Sequence, residues 1–386
     1  MASSSSPRPI RASARSRSAR TASAAADCAP AAQHLEPTPV ASHGAALRLS
    51  VPTGFCLRRF VRQSAAPVLP PVEFDADAGV LHAVVYSGGA GDPAIDARIA
   101  QATAGAPLDI WVAAPPTAAA GPVLQAQVLT ILGLDEDLSL FHAMATTDPG
   151  LAWAADHDAG RTLRSPRVFE DLLKSVLRAR VAAAKLHDVC ARFCQRYGMA
   201  TAHGRRAFPT EDALAAHDPD QLAATLAIPR GLAGTVHALA QACTHGSLIP
   251  DSLRRLPNEF AAILQEEGGG DDPQGHMVTA VDARMEWQER IDGLLCRLPG
   301  FGDRACTHML PLLGCHDMPM LDGATLRRFA ARFPTRKTKQ AAGPSGAQRG
   351  MHPDVQRVMR RVGRYSLYAG LAQRLLLTDA EPPTRD

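Results

Sequence analysis

The chain has 386 residues, 46% of them apolar and 20% charged, which excludes a wholly disordered polymer and provides enough length for two domains. No run of eighteen apolar residues occurs, so no membrane-spanning helix is expected. The formal charge is +3, but residues 1–26 carry Arg8, Arg11, Arg15, Arg17 and Arg20 and no acid, leaving −2 for the remainder. Net charge therefore announces no nucleic-acid partner, and any DNA footprint must be local.

Residues 1–45 are set apart from the fold. A start rich in Ser, Ala and Arg, with Asp27 as its first acid, has the composition of an organelle transit peptide. Chloroplast or mitochondrion is the expected location; a disordered basic tail and a nuclear address are the alternatives. Residues 46–120 read as a small antiparallel β-sheet domain. "ALRLSV", "FCLRRFVRQ", "VLHAVVYS" and "LDIWVAAP" are short, alternating or β-branched, and separated by Pro, Gly and Asp.

From 121 to 378 the pattern turns helical, giving an α+β, mainly α, fold class. "GPVLQAQVLTILGL" has helical spacing. "SPRVFEDLLKSVLRARVAAAKLHDVCARFCQRYG" reads as one long helix, with Ser165 as N-cap, Pro166 at the first helical position and Gly198 as its end. Thr210 and Asp218 are candidate caps of two short helices, and Gly246 closes another. Loops are expected at 265–280 and 334–350, and a short tail at 379–386. The last helix is expected within "HPDVQRVMRRVGRYSLYAGLAQRLLLTD". Its Arg357, Arg360, Arg361 and Arg364 do not share one face, which reads as a solvated surface, with a DNA-facing patch as the alternative.

The cysteines form no CxxC pair, so a zinc ribbon is not supported, and Cys190 and Cys194 read as buried thiols one helical turn apart. The informative stretch is "LPGFGDRACTHMLPLLGCHDMPMLDGATLRRFAARF". Leu298-Pro299-Gly300-Phe301-Gly302 lies between two helical patterns, and its two glycines permit a tight turn with positive φ. The second helix begins near Asp303. Its free N–H groups, with those of the turn, suit one DNA phosphate, a contact that positions a backbone and reads no sequence. Twenty residues after Gly302 stands Asp322, ahead of an amphipathic stretch with Leu326, Phe329, Ala330 and Phe333 on one face. As an N-cap it accepts a backbone N–H. As a fixed carboxylate beside a bound phosphate backbone it has a chemical use too: stabilising an oxocarbenium ion and orienting or deprotonating a water.

These residues carry a resemblance. An LPGxG hairpin, a helix, then a Pro and an Asp at this distance resemble the helix-hairpin-helix (HhH-GPD) DNA glycosylase superfamily. "LPGFGDRAC" and "MPMLDGATLRRFAARF" are in register with the adenine-glycosylase pattern. "FPTEDALAAHDPDQLAATLAIPRGLAGTVHALAQACTHG" is similar to bacterial 3-methyladenine glycosylase. "GLDEDLSLFHAMATTDPGLAWAADHDAGRTLRSPRVFEDLLKSV" resembles the alkylbase and 8-oxoguanine branches, which also carry an extra β-domain. The resemblance spans roughly residues 46–378 and is most specific over 291–333.

It implies a base-excision-repair glycosylase that flips a damaged, alkylated base out of double-stranded DNA and cuts its N-glycosidic bond. Asp322 is the implied catalytic residue. Leu298, Gly300, Phe301, Gly302, Asp303, Arg304, Arg178 and Arg180 are the implied DNA-binding set, with a Na⁺ or K⁺ on the hairpin carbonyls. Bifunctional members place a lysine where this chain has Arg304; a guanidinium stays protonated and forms no Schiff base, so a monofunctional, water-using enzyme is implied. Lys174 and Lys185 are other amines but do not match that position. No cysteine follows Cys315, which excludes the family's iron–sulfur cluster. Arg178 and Arg180 stand where the family shows polar amides, a departure that bears on substrate range and on activity. Trp153, Tyr365 and Tyr368 are candidate base-stacking aromatics with core packing as the alternative, and Trp287 reads as packing. A monomer is expected. The rival readings are a bifunctional 8-oxoguanine-type glycosylase/lyase and a non-catalytic helix-hairpin-helix DNA-binding protein.

Overall fold

The computed structural model describes residues 45–64, 66–88, 93–112, 120–254, 288, 290–334 and 352–378. The basic N-terminal segment, Trp287, the expected loop at 265–280, most of that at 334–350 and the C-terminal tail lie outside the described residues.

The N-terminal part is a five-stranded sheet in the order β1-β5-β4-β3-β2, with every neighbouring pair antiparallel. The strands are β1 (Ala45–Leu49), β2 (Glu73–Asp75), β3 (Val80–Tyr86), β4 (Ala94–Gln101) and β5 (Leu108–Val112). The stretch "FCLRRFVRQ" is not a strand: Leu57–Gln63 forms helix α1, burying Leu57 and Phe60. Their spacing of three is helical, and the arginines between them stay outside. Central β4 went unread in the sequence because Asp96 and Arg98 interrupt its apolar side chains; Ala97 and Ile99 are nonetheless fully buried. Helix α2 (Ala120–Ile131) lies on the sheet, and Leu124, Val128 and Ile131 complete the core of Leu81, Ile99, Leu108 and Ile110.

Helices α3 (Ser139–Ala145) and α4 (Trp153–Asp156) lead to the central helix α5 (Val168–Arg180). The expected long helix is in fact two. Val181 and Ala182 are extended, and α6 (Ala183–Tyr197) sets off separately. The two helices differ in burial: every residue of α5 from Val168 to Leu177 is buried, whereas α6 buries only the stripe Leu186, Val189, Cys190, Phe193 and Cys194. Ser165 is also not the N-cap. Arg167 holds that position, and the Asp171 carboxylate reaches back to accept the Ser165 N–H at 2.9 Å. The charges inside α5 are paired. Lys174 Nζ lies 2.6 Å from Glu170, and Asp171 accepts from Arg254 at 2.7 Å.

Helices α7 (Glu211–Ala215) and α8 (Pro219–Leu226) carry the expected caps; Thr210 accepts from Ala213 N–H, and Asp218 forms a capping box with Gln221. Then follow α9 (Arg230–Thr244), a helical stretch at 290–295 and α10 (Asp303–Met309). Beyond them lie α11 (Gly323–Arg332), α12 (Pro353–Val362) and α13 (Ala369–Leu377). The C-terminal segment is thus not one helix: residues 363–368 tighten into a 3₁₀ turn, with Ser366 at φ 45°. This turn seats Tyr365 and Tyr368 on Phe141 in a second core with Phe329 of α11.

Candidate active site

The two expected hairpin glycines do different jobs. Gly300 has φ +80°, and a Cβ there would lie 2.1 Å from Thr235 Cγ2 on α9, so both backbone and packing demand glycine. Gly302 instead caps α10 in an extended conformation, φ −104° and ψ −179°, and a Cβ on it would meet nothing within 4 Å. Its use is the open approach it leaves to the first N–H groups of α10. The Phe301 N–H donates to Leu298 O at 3.1 Å, closing the turn. The Phe301 side chain is buried in the main core beside half-buried Leu298, so the side chain of this member of the expected DNA-contacting set faces inward. Apolar burial outweighs exposure for a phenyl ring, and the ring anchors the turn from below. Asp303 and Arg304 are exposed.

Asp322 is fixed from two sides. Ahead of it, residues 316–321 run along α13. His316 O accepts from the N–H groups of Gly370 and Leu371 at 2.8 and 3.1 Å. The closeness needs Gly370, because a Cβ there would stand 2.3 Å from Met318 O. Buried Gln373 then grips Met320 by both backbone groups: its amide donates to Met320 O at 2.8 Å and its oxygen accepts from Met320 N at 2.6 Å. Behind it, Asp322 is the N-cap of α11. Oδ1 accepts from Ala324 and Thr325 N–H at 2.9 and 3.0 Å, and Oδ2 accepts from the Thr325 hydroxyl at 2.7 Å.

Partial burial alone would raise the pKa of Asp322, but the Thr325 hydroxyl, the capped N–H groups and the positive charge of Arg304 outweigh it and hold the carboxyl below its ordinary value. The group is exposed and ionised at neutral pH. The capping and chemical readings thus coexist in one geometry.

His308 also belongs here, and sequence reasoning missed it. It follows Arg304 by one helical turn on α10, a spacing that places both on one face. Burial, and then the charges of Arg178 and Arg304, push its pKa down to about 4 against an opposing pull from Asp322. The imidazole is neutral at physiological pH, with one ring nitrogen to donate and one to accept. Arg178, Arg304, His308 and Asp322 therefore share one electrostatic neighbourhood, formed where α5 packs on α10. Burial lowers the Arg178 pKa to about 10, which still leaves it charged. Arg180 turns outward, its guanidinium 3.4 Å from the Thr235 hydroxyl, so it flanks the hairpin that Thr235 supports.

Other candidates fall elsewhere. Trp153, Tyr365 and Tyr368 are buried in the second core. Trp153 Nε1 donates to Gly150 O at 3.2 Å, and the Tyr365 hydroxyl donates to Asp148 at 2.7 Å. Arg361 and Arg364 both converge on Asp148, while Arg360 and Arg364 stay exposed, so the expected solvated surface is tied down at one carboxylate. Lys174 is held protonated by Glu170 despite its burial, and Lys185 is exposed on α6. Cys190 and Cys194 are buried thiols, as expected.

Solved structures share the fold. MBOgg1 in complex with a low-affinity DNA ligand matches with a TM-score of 0.56 at 14% identity, over 87% of this chain and 95% of that one. The 8-oxoguanine glycosylase/lyase of Clostridium acetobutylicum in its apo-form matches with 0.54 at 13% identity, over 87% and 98%. The same enzyme with double-stranded DNA containing cytosine opposite 8-oxoguanine gives 0.52 at 15%, over 85% and 92%. No family model matches the sequence, and no curated protein does. The chain has the fold of the 8-oxoguanine glycosylases, sheet and helical part together.

Proposed function

We propose that the protein is a DNA N-glycosylase of base-excision repair. The observation that carries the reading is Asp322: an ionised carboxylate locked at the N-terminus of α11, in the electrostatic reach of Arg304, downstream of a hairpin whose Gly302 leaves the start of α10 open. The duplex would be gripped through phosphates at the hairpin, and the damaged base turned out of the stack. As the glycosidic bond breaks, its electron pair leaves with the base and positive charge develops on the sugar, where the Asp322 carboxylate stabilises it. Water then adds to the anomeric carbon, and Asp322 takes its proton. Neutral His308 and charged Arg178 line the approach to Asp322. The Na⁺ or K⁺ of the resemblance would rest on main-chain oxygens of the turn, such as Leu298 O; neutral oxygen donors fit an alkali cation, and no step depends on it.

Two finer points belong to the same reading. Arg304 favours a monofunctional enzyme, since a permanently protonated guanidinium forms no imine with the sugar. The likeness of residues 208–246 to 3-methyladenine glycosylase favours an alkylated purine as the substrate. A second reading, an 8-oxoguanine glycosylase/lyase, is favoured by the fold neighbours, two of which carry that name. The basic N-terminus favours work in an organelle.

The test is base release from duplexes carrying 3-methyladenine, hypoxanthine, 8-oxoguanine, uracil or T·G, for wild type and Asp322→Asn, with borohydride trapping in parallel. Release from the 3-methyladenine duplex, absent in Asp322→Asn and without a trapped adduct, is expected. Release from 8-oxoguanine with a trapped adduct would establish the second reading. Binding to every duplex with release from none would leave a non-catalytic DNA-binding protein.

A further inference from the structure

The hairpin brings together three side chains that the sequence keeps apart. Asp292 lies in the helical stretch before the turn, Cys296 at its end, and Cys306 in the first turns of α10. Their donor atoms all fall within 4.8 Å of one another. Cys296 Sγ is 3.7 Å from Cys306 Sγ and 3.9 Å from Asp292 Oδ1. Cys306 is 3% exposed, whereas Cys296 opens to solvent.

We propose that Asp292, Cys296 and Cys306 bind a thiophilic divalent cation of the zinc class, which ties together the two helices flanking the hairpin. The sulfur separation carries the argument. Two thiolates on a tetrahedral ion with Zn–S of about 2.3 Å stand about 3.8 Å apart, close to the spacing found here. A disulfide requires about 2.05 Å, and the pair is far from it. The donor set is soft–soft–hard, which zinc accepts and magnesium or calcium does not. The helical spacing of Asp292 and Cys296, one turn apart, puts two ligands on one face, and the turn folds the third onto them. The exposed side at Cys296 admits the ion and leaves room for a water as fourth ligand.

Charge balance also favours the site. Two neutral thiols and one carboxylate amount to −1. On binding, the thiols release two protons to solvent, and two thiolates, one carboxylate and a divalent cation again amount to −1. The ion therefore enters beside a phosphate-gripping turn without changing the charge the turn presents. Its effect is mechanical: it fixes the angle between the helix that ends at the turn and the helix that begins after it.

The proposal does not rest on the glycosylase reading, and its readout is optical. The reduced full-length protein is stripped with chelator and titrated with Co²⁺, then with Zn²⁺. One equivalent of Co²⁺ is expected to give the intense visible bands of tetrahedral cobalt with a thiolate charge-transfer band, all displaced by Zn²⁺. Cys296→Ser, at an exposed position, is expected to fold as wild type by circular dichroism and to weaken binding by about 100-fold or more. Asp292→Asn is expected to weaken it less and to shift the cobalt bands. Weak octahedral cobalt spectra in the wild type, or tetrahedral bands that survive in Cys296→Ser, would overturn the proposal.

Discussion

Asp148 is a buried carboxylate that gathers donors from four residues, and its replacement by Asn has a definite energetic signature. The side chain is 2% exposed and sits in the turn after α3. It takes a bidentate pair from Arg361 at 2.6 and 2.9 Å, a bond from Arg364, the Tyr365 hydroxyl at 2.7 Å and the Gly150 N–H at 2.9 Å. Asn offers one acceptor oxygen and would turn an NH₂ toward guanidinium donors. Removing one partner of a buried ion pair costs about 3–5 kcal/mol. Arg361 and Arg364 keep 26% and 54% of their side-chain exposure, which lets water recover part of the loss and places the expectation near the lower end, about 3 kcal/mol. The pH dependence follows from linkage. Burial alone would raise the Asp148 pKa, but the hydrogen bonds from Arg361, Tyr365, Gly150 and Arg364 outweigh it and leave the folded-state pKa well below the carboxylate range. A group depressed in the folded state stabilises above its unfolded pKa, about 3.9 for Asp, and loses that contribution as pH falls toward the folded value. Urea unfolding of wild type and Asp148→Asn is therefore expected to differ by the same about 3 kcal/mol at pH 7 and pH 5. The gap should then close by up to about 1.4 kcal/mol for each further pH unit below 3.9. A gap under about 1 kcal/mol at pH 7, the worth of an exposed pair, or one unchanged at pH 3, would refute the reasoning.

Substitutions centred on Asp322, Gly300 and Gln373 test the candidate site. Asp322→Asn should retain the α11 cap and lose only a few tenths of a kcal/mol, whereas Asp322→Ala should lose about 1 kcal/mol; on the glycosylase reading both abolish base release, so unfolding curves and single-turnover assays together separate capping from chemistry. Gly300→Ala must adopt a positive φ, costing about 1–2 kcal/mol, and must also displace Thr235 Cγ2, for about 2–4 kcal/mol in all by urea unfolding. Adding Thr235→Ser, which deletes the clashing methyl, should recover the packing share and leave the backbone share; no recovery would show that the methyl is irrelevant. Gln373→Leu breaks both bonds to Met320 and should cost about 1–3 kcal/mol. Because the clamp sits two residues before Asp322, single-turnover release is expected to slow more than DNA affinity falls, as measured by anisotropy on an undamaged duplex.

The helices with one apolar face were legible because burial and periodicity agree in them. Thr210 and Asp218 cap where read, and Leu326, Phe329 and Phe333 do turn to one core. Asp322 was legible as a cap because its residue type and its place just before the amphipathic stretch agree. What the sequence hid was non-local. Nothing in "FCLRRFVRQ" says that Leu57 and Phe60 will meet α2 and the sheet, so a local β-pattern concealed a helix. Nothing at Val181 announces that a helix buried all round ends and a one-sided helix begins. The inward direction of the Phe301 side chain was hidden because a motif fixes the backbone of a turn and not the direction of its side chains. Gln373 and Asp148 act across long stretches of chain, and only the fold brings Met320, Arg361 and Arg364 to them.

The electrostatics around Asp322 give Arg304 two roles at once. Its charge helps keep Asp322 ionised, and the same charge, after burial and with Arg178, helps hold His308 neutral. A protonated His308 would compete for the Asp322 carboxylate and form an ion pair with it, blunting its response to charge arising on a sugar. With His308 neutral, Asp322 remains an anion whose own bonds to Ala324 and Thr325 are backbone and hydroxyl contacts, not a counter-ion. A lysine at 304 would supply a similar charge, but nearby cations favour loss of its proton, and the free amine is a nucleophile. Arginine removes that option. On the glycosylase reading, Arg304 beside a neutral His308 suits stabilising positive charge on a sugar and handling water.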